Sequence, residues 1–206
     1  MVVNRPLNEI FSTYSNIAVI RELRDTTNGL TGREIAKRAG LSAPSAIKAL
    51  SHMESLKIVN RQIGGRDHLF TLNFNNYFVK NILIAALQAE AGYLDMIKSE
   101  LKKSISKELE SLLLFGSVAR KEETIKSDFD ICVVLRDSDD KIMIKKKVNS
   151  CRDLLYKNYG INLAPFYIAS KEFKRRAKAK KPPVDDIIKE GVVVSGKSIK
   201  GILNDK

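Results

Sequence analysis

Tryptophan is missing from the 206-residue chain, and cysteine and histidine occur twice each. Cys132 and Cys151 are far apart and have no second pair, which argues against a disulfide framework and a cysteine zinc site; two small side chains filling a core are expected. His52 and His68 are too few for a histidine-built metal centre. Long apolar runs are also missing. Ile82 to Leu87 is the longest near the middle of the chain, far short of the roughly 20 residues needed to cross a bilayer, and Met1 to Ile10 lacks the apolar centre of a secretory signal. A cytoplasmic chain with no membrane partner is expected. The remaining shortage is negative charge: 24 acidic residues face 36 basic ones, a net charge of +12 that draws polyanions, nucleic acid first among them.

What is present is ordinary for a globular protein, 44% hydrophobic and 29% charged, and the length suits two compact units of about 80 to 120 residues. From Ser15 to Leu23 the residues Ile17, Ala18, Val19, Ile20 and Leu23 gather on one helical face, with Asn16, Arg21, Glu22 and Arg24 opposite. Residues 26–29 break that helix. Thr31 and Glu34 have capping-box spacing and open a second helix, buried through Ile35, Ala36 and Ala39. Gly40 ends it, and Ser42 starts a third, in which Ile47, Leu50, Met53 and Leu56 repeat at helical spacing as the buried stripe. Residues 57–63, 64–67 and 68–73 then read as strand, glycine turn and strand.

Helix, helix, turn, helix and two-stranded wing, over about Leu7 to Phe74, resemble the winged-helix regulators of the arsenic-repressor and multiple-antibiotic-resistance type. The third helix leaves Ser45, Lys48, Ser51 and His52 polar, where a major groove would sit, and Arg61 and Arg66 suit the backbone or minor groove, so double-stranded DNA is the expected partner. The competing reading is a solvated helix face on a domain that contacts protein.

Residues 75–109 hold no proline, and Ile82, Leu83, Ala86, Leu87, Leu94, Ile97, Leu101 and Ile105 recur at roughly helical intervals. One long helix, or two broken near Gly92, is expected. Its apolar first half fits either intramolecular packing or a homodimer through the connecting helix, as the helix after the wing forms in similar regulators.

The run from Leu112 to Arg120 reads as an apolar strand ending in Gly116 and Ser117; ten residues separate Ser117 from Asp128, which with Asp130 flanks Phe129 and leads into the apolar strand Ile131 to Leu135. Carboxylates at i and i+2 of a strand share a face, so both can hold Mg2+ (or Mn2+) bound to phosphates. Glycine lets backbone amides approach an anion, and a hydroxyl adds a donor. This spacing resembles the signature of minimal nucleotidyltransferases in the polymerase-beta superfamily, and the later pattern of helix (139–159), strand (161–169), basic helix (170–180), short helix (183–190) and strand (191–195) extends the resemblance over about Ile97 to Ile199. The resemblance implies that Asp128 and Asp130 are catalytic and metal-binding. It also implies that Gly116, Ser117, Arg120 and Ser127 bind a nucleoside triphosphate, with Arg120 offsetting charge on the leaving phosphates. Lys121 stands where the family usually has glycine. Lys174, Arg175, Arg176, Lys178, Lys180 and Lys181 fit a route for nucleic acid or triphosphate, or a solvated basic face.

One departure stands out. The family's third carboxylate belongs on the later strand, and residues 161–168 contain no acid; Asn162 lies near its place, and Asp153 and Glu172 flank the strand. The expected fold class is therefore α+β, with a winged helix-turn-helix over 1–75, a connecting helix over 76–96 and a nucleotidyltransferase-like α/β domain with mixed sheet over 97–206. Three functions fit: a DNA-binding protein that binds a metal–nucleotide complex and transfers a nucleotide to a hydroxyl acceptor, a non-catalytic nucleotide-sensing transcription regulator, and an antitoxin-like transferase that modifies a partner protein.

Overall fold

The structure, a computed structural model, describes residues 3–64, 67–105, 109–136 and 138–204. The chain forms two compact units, Met1–Gly92 and Tyr93–Lys206. In the first, α1 (Pro6–Ile10) and α2 (Tyr14–Leu23) precede a short strand β1 (Leu30–Thr31), then α3 (Gly32–Arg38), α4 (Ala43–Ser55) and the wing strands β2 (Val59–Gly64) and β3 (Asp67–Leu72). The caps follow from local chemistry. Thr31 accepts from the Glu34 amide while the Glu34 carboxylate accepts from the Thr31 amide, closing the expected capping box, and the Ser42 hydroxyl accepts from the Ser45 amide at the start of α4.

In this unit two elements went unread in the sequence because they are too short to show a period: α1, set by Pro6 at its first turn, and β1, which adds an antiparallel edge to β3. Val19, Leu23, Ile35, Leu50, Met53, Ile58 and Phe70 form the core between helices and wing. The expected buried stripe of α4 needs one correction. Ile47 is 46% exposed while Ala46 and Ala49 are buried, because the helix turns its small-residue side to the core and places Ile47 on the outer stripe with Pro44, Lys48 and Ser51.

After the wing a π-helical turn, Val79–Leu83, continues into α5 (Ile84–Ile105), which runs through Gly92 unbroken. Val79, Leu83 and Leu87 pack into the first core, whereas Ile97, Leu101 and Ile105 belong to the second.

The second unit is a four-stranded mixed sheet in the order β6-β5-β4-β7, built from β4 (Ser111–Leu114), β5 (Phe129–Leu135), β6 (Leu163–Ala169) and β7 (Val192–Gly196). β4 runs antiparallel to β5 and β7, and β5 pairs in parallel with β6. Alternation along β5 divides the interior. Phe129, Ile131, Val133 and Leu135 face α5 and α7 (Lys141–Tyr159), while Cys132 and Val134 face α8 (Ser170–Lys178), α9 (Val184–Glu190) and α10 (Ile199–Asn204). Both cysteines are buried and free, as expected, and burial pushes the Cys132 thiol up to about 12. Among the described residues no helix is long and apolar enough to cross a membrane.

Candidate functional site

The carboxylate pair sits where β5 begins. Asp130 has the parity of Cys132 and Val134, so it projects on the α8–α9 side of the sheet, and Asp128, two residues earlier, precedes the strand with the same parity. Asp128 is exposed and Asp130 half-buried. Burial, and then the charge of Asp128, raise the Asp130 carboxyl above its ordinary value.

Gly116 opens a short helix, α6 (Gly116–Arg120), with φ of +75° and its backbone hard against Asp130: a Cβ here would collide with Asp130 Oδ2. The glycine therefore serves two needs at once, a left-handed backbone and the approach of main chain to a carboxylate. Its amide donates to Glu190 Oε1 at 3.0 Å, and Arg120 Nη1 donates to both Glu190 oxygens at 2.7 and 2.8 Å. The guanidinium holds Glu190 below the usual carboxylate range, and Glu190 and Glu122 raise Arg120 in turn. Two donors assigned to an anion thus converge on a carboxylate beside Asp130. Glu190 was not foreseen. Its trace in the sequence is a misfit: an acid at the last residue of a helix opposes the helix dipole and calls for a cationic partner.

Lys121 follows with φ of 60° and ψ of 37°, a left-handed conformation that glycine would adopt at lower cost. Ser117 is half-buried within α6. Ser127 is engaged elsewhere: its hydroxyl accepts from the Thr124 amide at 2.9 Å and lies 3.3 Å from the Thr124 hydroxyl, closing the turn before Asp128.

Asn162, near the expected place of the third acid, lies beside the pair. Register pairs Phe129 with Leu163 and Asp130 with Ala164, and Asn162 Nδ2 donates to Asp128 Oδ1 at 2.6 Å. Asn162 therefore stands beside the pair as a neutral donor. Glu172 is bound by Arg175 and Arg176 on α8, and Asp153 is exposed on α7 with Arg152 3.9 Å away. No cluster of three or more histidine, cysteine or acidic side chains suited to a metal occurs among the described residues. Two carboxylates still suit Mg2+, which binds through one or two acids together with substrate phosphates.

In the first unit the DNA-facing candidates divide. Ser45, Lys48 and His52 border a hollow of about 400 Å³ against α1 and α2, whereas Ser51 and Arg61 border another of about 290 Å³ between α4 and the wing. Ser45 also accepts from the Ser42 hydroxyl at 2.8 Å, and Arg61 Nε lies 3.1 Å from Glu54. His52 turns inward, with Nε2 3.3 Å from the Glu9 carbonyl and 3.5 Å from its carboxylate. Arg66 lies outside the described residues.

Residues 94–194 match the family model of the nucleotidyltransferase domain. That match spans the carboxylate pair, the Gly116 turn and Glu190. No curated protein matches the chain. Among solved structures, the chain is similar to MepR, a transcription regulator of a Staphylococcus aureus multidrug efflux pump, at 20% identity and a TM-score of 0.36, over 50% of this chain and 73% of MepR. It is also similar to a chain of a toxin–antitoxin complex with AMP-PNP, at 18% identity and a TM-score of 0.36, over 53% of this chain and 77% of that one.

Proposed function

We propose that the protein is a DNA-binding nucleotidyltransferase: its winged helix-turn-helix unit engages duplex DNA, and its C-terminal unit binds a Mg–nucleoside triphosphate and transfers the nucleotide to a hydroxyl acceptor. The observation that carries the second half is the convergence of the Gly116 amide and the Arg120 guanidinium on one carboxylate next to the Asp128–Asp130 pair. Donors that hold a carboxylate also fit a phosphate oxygen, and the neighbouring pair supplies the ligands for Mg2+ (or Mn2+). When bound, the metal supplies charge neutralisation at the transferring phosphate. Gly116 and Ser117 would then seat the triphosphate, and Arg120, released from Glu190, would face charge growing on the departing pyrophosphate. Attack by the acceptor oxygen on the α-phosphorus forms one P–O bond and breaks the bond to pyrophosphate. The acceptor proton leaves to bulk solvent, because Asp128 accepts from Asn162 with one oxygen and would hold the metal with the other.

A second reading rests on Asn162. An amide where a carboxylate would complete the site weakens proton removal and metal binding, and it favours a regulator that binds nucleotide without transferring it. In either reading a second copy through the connecting helix would present two recognition helices to paired half-sites. A protein acceptor would give the chain an antitoxin-like role.

Incubation of the full chain with labelled ATP, GTP, CTP and UTP plus Mg2+ or Mn2+, with and without cell lysate, separates these readings. Label transfer that disappears in the Asp128→Asn, Asp130→Asn double variant is the expected result. Nucleotide binding without transfer would establish the regulator instead.

A further inference from the structure

Ile47 is 46% exposed in the middle of the outer stripe of α4, with Pro44, Lys48 and Ser51 as its stripe neighbours. It is not loosely placed. Its Cδ1 rests over the first turn of α3, so close that a Cβ on Gly32 would lie 2.6 Å away. The glycine makes a seat for the tip of the isoleucine, and the rest of the side chain borders the hollow of about 290 Å³ between α4 and the wing.

That hollow is also lined by Arg33, Arg61, Asp67 and His68, and Arg61 lies 3.1 Å from Glu54. Arginines bordering an exposed helix face suit a phosphate strand, in keeping with the +12 charge of the chain. Beside the phosphates the major groove offers one apolar group on its base edges, the 5-methyl of thymine. We infer that Ile47 is a base-reading residue that packs on a thymine 5-methyl group and sets a preference for thymine at one position of the bound site. This rests on the proposed DNA binding of the winged-helix unit and names its specificity. The seat on Gly32 gives the contact its selectivity, because a held side chain discriminates between groups where a swinging one would accommodate either.

The test uses the full chain. Duplexes are enriched from a random-sequence library, and each thymine of the enriched site is replaced in turn by deoxyuridine, which removes one methyl and leaves every hydrogen-bonding edge intact. At one thymine the replacement should weaken binding about fourfold, the effect of a single buried methyl. Ile47→Ala should bind the thymine duplex that much more weakly and lose its response to deoxyuridine at that position, while keeping the response to salt. Ile47→Val, which retains a branched contact, should keep part of the methyl response and controls for a folding defect. Enrichment of a site with no deoxyuridine effect, or an Ile47→Ala protein that still senses the methyl, would overturn the inference and leave DNA binding intact. Failure to enrich any duplex would overturn the DNA-binding reading and this inference with it.

Discussion

Gly116 and Lys121 bracket α6 with opposite fits to the same backbone demand. Gly116, at φ of +75° and against Asp130, has no room for a side chain. Gly116→Ala should cost about 1 to 3 kcal/mol in chemical denaturation, from strain and from the displaced carboxylate, and should weaken any ligand held by Asp130. Lys121 adopts the left-handed region with an ordinary side chain, so Lys121→Gly should raise stability by about 1 kcal/mol in the same assay. Gly116 was singled out in the sequence as a close-approach glycine, and the structure shows that approach being made to Asp130. The shared parity of Asp128 and Asp130 was legible through spacing, because alternation along an extended segment is fixed by covalent geometry. Glu190 was not: its role depends on α9 bringing it back over α6, a tertiary event with no local periodicity. Ile47 was misread as core for a related reason. Leu50 and Met53 share its helical spacing and are buried, but whether Ile47 at the edge of that stripe is covered depends on what packs beside it, and there α3 offers only Gly32.

Among the elements, α8 links charge to the carboxylate side of the sheet. Phe173 anchors it among Cys132, Val134 and Ile168, and Glu172 is held by Arg175 and Arg176 at 2.7 and 2.8 Å. Those guanidinium groups draw the Glu172 carboxyl from 4.5 down to about 2. A lowered folded-state pKa means that the interaction supports α8 above the ordinary value of 4.5 and is lost as pH falls through about 2. Following the Glu172 carboxyl carbon by NMR should give a midpoint near 2 that moves toward 4.5 in an Arg175→Ala, Arg176→Ala variant; an ordinary midpoint in the parent would mean that the ion pairs do not form. The basic run that suggested a solvated face or an anion route is thus partly committed to its own helix. Longer elements were read well, as with α2, α4, α5 and α7, because three or more turns repeat the apolar spacing. The π-helical turn at Val79–Leu83 could not be, since its apolar residues also satisfy an α-helical pattern.

At the scale of the whole molecule, a basic chain joins a winged helix-turn-helix unit to a nucleotidyltransferase-fold unit through α5, whose two ends serve different cores. The two compact units correspond to two unlike sequence patterns, helix-turn-helix with wing and then alternating helices and strands. The chemistry of the site turns on a smaller matter, whether two carboxylates with an amide in place of a third acid still bind a metal–nucleotide complex. Titration calorimetry of the full chain with ATP, GTP, CTP and UTP, each with and without Mg2+, addresses this most directly. We expect Mg2+-dependent binding of at least one triphosphate and a loss of at least about tenfold in affinity in the Asp128→Asn, Asp130→Asn variant. Absence of binding, or affinity unchanged in the double variant, would contradict the assignment of the pair as the metal–nucleotide site.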